Sequence, residues 1–173
     1  SLTVTKIRWM ATHEPDNLSR TTAVALPHDW LTWNLLGGDD ISTLVTDRSD
    51  ASGTGYYSAQ DNEYCKDLLK LAAGSEFAER VRLPRVASPA QRVAEAKIDG
   101  HNLVIGPGAG DNAGAALGLG LKPGEVAMSI GTSGVVSLVS AVATHDPEGY
   151  VTGFADASGN YLPLVCTLNA SRV

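Results

Sequence analysis

Residues 102–136 decide the fold that we predict, and their sequence is NLVIGPGAGDNAGAALGLGLKPGEVAMSIGTSGVV. The stretch begins with an apolar run at 103–105, which we expect to form a short buried strand. A glycine turn follows and leads to Asp111, after which small and apolar residues predict a helix. A second apolar run at 126–130 predicts another strand, which ends at the sequence Gly-Thr-Ser-Gly. The stretch therefore predicts two strand–turn units with a helix between them.

The two turns together indicate a ligand site. The first presents the carboxylate of Asp111, and the second presents two hydroxyls and free backbone N–H groups. Backbone N–H groups in such turns bind phosphate oxygens. A carboxylate near a phosphate-binding turn favours phosphoryl transfer, in which the acid takes the proton of an attacking hydroxyl. Capping of the helix N-terminus is the structural alternative for Asp111.

The first turn also fits a different class of site. Residues 108–113 match the pattern G-x-G-x-x-A after a strand, which is typical of dinucleotide-binding domains. Two features weigh against this alternative. Asp111 would bring negative charge to the turn that holds the pyrophosphate, and Glu125 precedes the next strand, whereas the pattern requires an acid at its end.

The composition restricts the class of protein. The chain has 173 residues, 43% of them hydrophobic, which is enough for one sizeable domain or for pieces of two. The net charge is −6 without a basic run, so we expect no nucleic-acid partner. No apolar span approaches the length of a membrane helix, and we expect no membrane contact. Cys65 and Cys166 form neither a metal-ligand spacing nor a disulfide pattern, which favours the cytoplasm.

Outside the central stretch, hydrophobic periodicity predicts further helices and strands. The predicted helices span 2–13, 28–36, 63–73 and 75–81, with Pro27 in the first turn of the second. The predicted strands span 134–142, 150–154 and 160–165, and the last two form a hairpin. Residues 91–98 are ambiguous between helix and loop.

Two polar features have structural explanations. His28 and Asp29 could form a catalytic pair, but an aspartate in a first helix turn is favoured by the helix dipole. The polar side chains of residues 39–62 could line a cation site, but the segment lacks the spacing of an EF-hand loop, so we expect a tight turn whose side chains bind backbone groups. The polar side chains concerned are Asp47, Ser49, Asp50, Ser52 and Thr54. The four histidines are scattered, and we predict no metal ligand.

A domain boundary is predicted near residues 122–124, because the preceding part is rich in helices and the following part in strands. This gives one segment at 1–124 and another at 125–173. The second segment looks too short for a complete domain. The sequence begins without a methionine or a signal-peptide pattern. We therefore expect an internal piece of a longer protein.

Five ordered motifs resemble those of the FGGY carbohydrate kinases, and within that family those of the xylulose kinases. The motifs are LPHDWLTWNLLG at 26–37, TDRSDASGTGYY at 46–57, GAGDNAGAALGLG at 108–120, SIGTSGVV at 129–136 and FADASGNYLPLVCTLNASRV at 154–173. The resemblance covers essentially the whole chain. It implies an α/β fold with two actin-like (ribonuclease H-like ATPase) domains. Residues 1–124 would be the latter half of the N-terminal domain, and 125–173 the first strands of the C-terminal domain.

The resemblance also implies roles for single residues. Asp111 would be the catalytic base, and Asp111 and Asn112 would bind the sugar. The second phosphate motif would bind the nucleotide and comprises Gly131, Thr132, Ser133 and Gly134. The implied reaction converts ATP and D-xylulose to ADP and D-xylulose 5-phosphate with Mg²⁺. The alternatives are a kinase for ribulose, glycerol or a related polyol, and a non-catalytic, sugar-sensing actin-like domain.

The chain departs from the family pattern at its N-terminal side. The first phosphate motif (Asp-x-Gly-Thr), a Met-His pair that helps to bind xylulose and the adenosine-binding segment are not in this sequence. In the family Mg²⁺ is held largely through the aspartate of that first motif, so the resemblance assigns no metal ligand here. We expect the isolated 173 residues not to turn over. The oligomeric state is left open, with a homodimer as one option.

Overall fold

The computed structural model describes residues 2–171, and the chain divides into two units, Ser1–Gly108 and Ala109–Val173. The helices of the first unit are α1 (Thr3–His13), α2 (Pro15–Arg20), α3 (Pro27–Leu35), α4 (Arg48–Ser52), α5 (Lys66–Ala73) and α6 (Ser75–Arg80). Its strands are β1 (Val45–Asp47), β2 (Tyr57–Ser58), β3 (Glu63–Tyr64), β4 (Arg85–Ala87), β5 (Ala94–Ile98) and β6 (His101–Ile105). No helix within residues 2–171 has the length and apolarity that crossing a membrane requires.

The helical core of the first unit forms where α1, α5 and α6 pack together. Its buried members are Ile7, Leu18, Tyr56, Leu69, Phe77, Ala78 and Val81. The helix predicted in this segment is confirmed, but its buried face centres on Leu69, which is fully buried, whereas Leu71, expected on the apolar face, is 73% exposed. The helix begins only at Lys66, because Glu63–Tyr64 pairs with Tyr57–Ser58 as an antiparallel ladder.

Strand β1 and helix α4 stand within the segment that we expected to be a turn. Val45–Asp47 pairs in parallel with Arg85–Ala87, and Asp47 is the N-cap of α4. The Asp47 carboxylate accepts hydrogen bonds from the backbone N–H groups of Ser49 (2.7 Å) and Asp50 (3.1 Å). The expected bonding of polar side chains to the backbone is confirmed at Asp47. The prediction of a single tight turn is wrong, because residues 45–52 form a strand and a helix. A strand of three residues has too little local pattern to be predicted, and it is stabilised by Arg85–Ala87, which lies far along the chain.

Strands β5 and β6 form an antiparallel hairpin that corrects two predictions. Residues 94–98 are a strand, not helix or loop, and residues 103–105 are a strand but not a buried one. Leu103 is 43% and Val104 60% exposed, because β6 pairs with β5 alone among the described strands. Asp99 and Gly100 form the turn between the two strands, with positive φ angles of 49° and 83°.

The second unit combines one helix with an antiparallel sheet. Its elements are α7 (Asp111–Gly118), β7 (Val126–Ile130), β8 (Gly134–Leu138), β9 (Thr152–Ala155) and β10 (Tyr161–Thr167), with strand order β7-β8-β10-β9. Ala113 and Ala116 of α7 pack against Val139 and Leu162. The small residues of the helix therefore allow it to lie close to the sheet. The predicted hairpin of β9 and β10 is confirmed.

Candidate functional site

Asp111 is the first residue of α7 and is exposed. Its Oδ1 accepts hydrogen bonds from the backbone N–H (2.8 Å) and the side-chain Nδ2 (3.2 Å) of Asn112. Oδ2 has no hydrogen-bond partner among the described residues. Gly110 is the N-cap residue of α7, so the alternative that Asp111 caps this helix is wrong. One carboxylate oxygen is thus fixed by Asn112, and the other is open to an incoming proton.

The Gly131–Gly134 turn connects β7 to β8 in the same unit. Its Gly131 N–H donates to the carbonyl of Ser133 (2.9 Å), and the carbonyls of Gly131 and Thr132 accept from Ser171 (3.1 Å) and Ala170 (2.9 Å). Thr132 and Ser133 are exposed. The turn is therefore held through its carbonyls, while its two hydroxyl residues remain accessible to a ligand.

The strand pairing of this stretch argues against a dinucleotide-binding domain. That fold requires the strands on either side of the helix to lie parallel in one sheet. Here β6 pairs antiparallel with β5, and β7 pairs antiparallel with β8. The glycine pattern at 108–113 therefore does not belong to a βαβ unit.

A cluster of four charged side chains lies in the first unit around His28. We call it the His28 cluster, and its other members are Asp29, Asp47 and Asp50. His28 Nδ1 is 2.6 Å from Asp50 Oδ2, and Nε2 is 3.2 Å from Asp29 Oδ1 and 3.3 Å from Asp47 Oδ2. Asp29 and Asp47 are buried, and Asp50 is half-buried. Three elements meet here: the start of α3, the end of β1 and the first turn of α4.

The positive charge of the His28 ring and the negative charges of the surrounding carboxylates stabilise each other in this cluster. Hydrogen bonds to Asp47 and then to Asp50 raise the pKa of His28 to about 10, so the ring is an imidazolium at neutral pH. Burial by itself would raise the pKa of Asp47, but hydrogen bonds from His28 and Ser49 outweigh it and lower that pKa. Burial raises the pKa of Asp29, against the hydrogen bond that its Oδ2 accepts from the Leu26 N–H (2.8 Å).

Sequence reasoning considered parts of this cluster but did not join them. The sequence pairs His28 with Asp29 and places Asp47 and Asp50 in a separate turn. The signal that could have joined them is the strand that Asp47 ends, since carboxyl ends of strands commonly carry converging polar groups.

The donor set of the cluster does not fit Mg²⁺. His28, Asp47 and Asp50 offer ligand atoms within 4.8 Å of one another. A metal-bound histidine is neutral, whereas both ring nitrogens of His28 lie within 3.3 Å of carboxylate oxygens, which favours the protonated ring. Mg²⁺ also prefers six oxygen ligands in octahedral geometry. We therefore assign no residue of this chain to the metal.

Comparison with known proteins gives a consistent result. The model of the N-terminal domain of the FGGY family of carbohydrate kinases matches residues 1–118. The chain is 46% identical over 177 residues to a xylulose kinase of Streptomyces rubiginosus and 45% identical to one of Streptomyces coelicolor. Each alignment covers 99% of this chain and 35% of the relative, so the chain spans about a third of the length of these curated relatives.

Solved structures support the fold. The xylulose kinase of Bifidobacterium adolescentis has a TM-score of 0.90 and 44% identity, over 99% of this chain and 38% of that protein. A second kinase, from Brucella ovis, has a TM-score of 0.83 and 27% identity, over 98% of this chain and 35% of that protein. The predicted partial actin-like α/β fold and the predicted family are both confirmed. The chain belongs to the FGGY family of carbohydrate kinases.

Proposed function

We propose that the protein of which this chain is part transfers the γ-phosphoryl group of ATP to D-xylulose, giving ADP and D-xylulose 5-phosphate. The observation that carries the proposal is the state of Asp111. This exposed carboxylate is oriented through Oδ1 by Asn112 and keeps Oδ2 without a partner among the described residues. The names of the relatives at 46% and 45% identity support xylulose as the acceptor.

The chemistry assigned to Asp111 is general-base catalysis. Its Oδ2 accepts the proton of the sugar hydroxyl while that oxygen attacks the γ-phosphorus. A new O–P bond forms, the bond to the bridging oxygen of ADP breaks, and ADP leaves with that electron pair. Asn112 limits the rotation of the carboxylate and contacts the sugar. Orientation of this kind matters because the base must lie within hydrogen-bond reach of the proton.

The Gly131–Gly134 turn is proposed as the phosphate-binding element. The carbonyls of Gly131 and Thr132 are engaged by residues 170–171 and the Gly131 N–H by the Ser133 carbonyl, so the hydroxyls and backbone N–H groups of Thr132 and Ser133 are proposed to bind phosphate oxygens. Mg²⁺, when bound, neutralises charge on the phosphates. The boundary near residue 124, the cytoplasmic location and a homodimer remain predictions, and light scattering of the whole protein tests the last.

The direct test is Asp111→Asn in the full-length protein. The amide keeps the shape of the side chain and the acceptor for Asn112, but it cannot take a proton. We expect kcat to fall by about 10²–10⁴-fold or more, with the affinity for the sugar nearly unchanged. Asp67→Asn is the matched control, because Asp67 is another exposed aspartate in a first helix turn. Near-normal turnover by Asp111→Asn would remove this residue from the mechanism.

The acceptor is tested by ADP release with D-xylulose, D-ribulose and glycerol. We expect the highest kcat/KM with D-xylulose. A higher value with either of the others would assign the protein to another sugar within the family. Sugar binding without ADP release from any acceptor would favour the non-catalytic sensor.

A further inference from the structure

The ring of His28 is held from three directions. Asp29 comes from the same helix, Asp47 from the end of β1 and Asp50 from the first turn of α4. Nδ1 is engaged by one carboxylate and Nε2 by two, so rotation about either side-chain torsion would break a charged contact. The contact of Nδ1 with Asp50, at 2.6 Å, has the length of a charge-assisted hydrogen bond, which is stronger than a neutral one. The ring is therefore a rigid surface, unlike the free end of a flexible side chain.

Gly108 lies directly against this surface. A Cβ built on Gly108 would be 2.8 Å from both Cδ2 and Nε2 of His28, which is too close for any side chain. Gly108 also has φ 88°, in the left-handed region that favours glycine. The contact lies inside the first unit, and Gly108 is its last residue. Because the ring cannot move aside, it fixes the path of the backbone at this point.

Gly108 precedes Asp111 by three residues in the chain. We propose that His28 is a positioning residue for Asp111, acting through its contact with Gly108 on the turn that leads into α7. This inference rests on the proposed role of Asp111 as the base. The turn contains three glycines within five residues, 106–110, and would otherwise be free to take many paths. A rigid contact at Gly108, in the centre of the turn, reduces that conformational freedom three residues before Asp111.

A double-mutant cycle in the full-length protein tests the contact. Gly108→Ala should lower kcat by about 10–100-fold while the sugar dissociation constant changes less than about threefold, because a small displacement of a catalytic group is costly. His28→Lys keeps the positive charge for the three carboxylates and removes the ring. In that background we expect Gly108→Ala to cost at least about tenfold less. An equal cost in both backgrounds overturns the proposal.

Gly100→Ala is the matched control for backbone strain. Gly100 has φ 83°, close to that of Gly108, but a Cβ there would meet nothing within 4 Å. We expect this variant to lower the melting temperature slightly and to leave kcat unchanged. If it lowers kcat as much as Gly108→Ala does, strain alone explains the effect and the contact with His28 has no role.

Asp50→Asn provides a second route if Gly108→Ala fails to fold. It removes the charge that holds Nδ1 and adds no atoms near the turn. We expect kcat to fall about 3–10-fold at constant sugar affinity. Unchanged kcat in a folded Asp50→Asn protein overturns the proposal. Normal turnover by Asp111→Asn would instead refute the proposed base, whatever the cycle shows for the His28–Gly108 contact.

Discussion

The two groups of aspartates in this chain differ in almost every physical respect. Asp29 and Asp47 are buried and lie beside an imidazolium, with further hydrogen bonds from backbone N–H groups. Asp111 is exposed, and within the described part of the chain its carboxylate is bonded only by Asn112, through Oδ1. Asp29 and Asp47 are buried and held by backbone N–H groups and by the charge of His28, whereas the exposed carboxylate of Asp111 is accessible for proton exchange. This difference in burial and charge supports the proposed division into aspartates that stabilise the fold and one that acts as the base.

The largest expected effect contrasts activity with stability at Asp111. Asp111→Asn should lose about 10²–10⁴-fold in kcat and keep the melting temperature of the wild type, because among residues 2–171 only the adjacent Asn112 donates hydrogen bonds to this exposed carboxylate. Differential scanning calorimetry and an ADP-release assay on the same sample measure both quantities. A fall in melting temperature of several degrees would mean that Asp111 belongs to the structural group.

The reverse is expected at Asp47. Asp47→Asn keeps an oxygen that can cap α4 but removes the charge beside His28. We expect a loss of about 1.5–3 kcal/mol in the free energy of unfolding, the usual range for a hydrogen bond to a charged group. Denaturant unfolding followed by circular dichroism measures it. Since the cluster also supports the turn at Gly108, a modest fall in kcat should accompany the loss. Unchanged stability would show that Asp29 and Asp50 suffice for His28.

The pH dependence of stability follows from His28. Its pKa of about 10 in the folded protein lies above the ordinary value of 6.5. Its contribution is therefore complete below pH 6.5 and is lost as the pH rises through 10. The pKa of Tyr56, raised to about 12 by burial, lies above this window. We expect the melting temperature of the wild type to fall between pH 7 and 9.5.

His28→Lys is the control for that pH dependence, because a lysine stays charged over the same range. Its melting temperature should change less between pH 7 and 9.5 than that of the wild type. If the melting temperatures of both proteins fall equally between pH 7 and 9.5, a group other than His28 is responsible for the pH dependence.

The smallest effect is expected at the phosphate turn. Ser133→Ala removes one exposed hydroxyl and leaves the backbone N–H groups in place. We expect KM for ATP to rise about 2–10-fold, the equivalent of one hydrogen bond, with kcat nearly unchanged. Ser158→Ala, at an exposed serine of the hairpin between β9 and β10, is the control and should leave KM for ATP at its wild-type value. An unchanged KM for ATP in Ser133→Ala would mean that the Ser133 hydroxyl does not bind ATP and that the backbone N–H groups of the turn are sufficient.

Much of the local structure could be predicted from the sequence. Helices α1, α3 and α5 follow from periodicity, and Pro27 begins α3 as predicted. The turn at Gly131–Gly134 and the helix that begins at Asp111 were also predicted, because all of their residues are contiguous. Strands β1 and β5 were missed. A strand of three or five residues has little pattern of its own, and its stability comes from a partner that the local sequence does not reveal.

The sequence by itself determined the motifs, the family and the identity of the candidate base, since each resides in a short run of neighbouring residues. Only the tertiary structure decided that His28 meets Asp47 and Asp50, and that Gly108 lies against the same ring. These residues are brought together by the parallel pairing of β1 with β4 and by the packing of α3 beside β1. Contacts between distant parts of a chain depend on the free energy of the whole fold, and no local pattern encodes them.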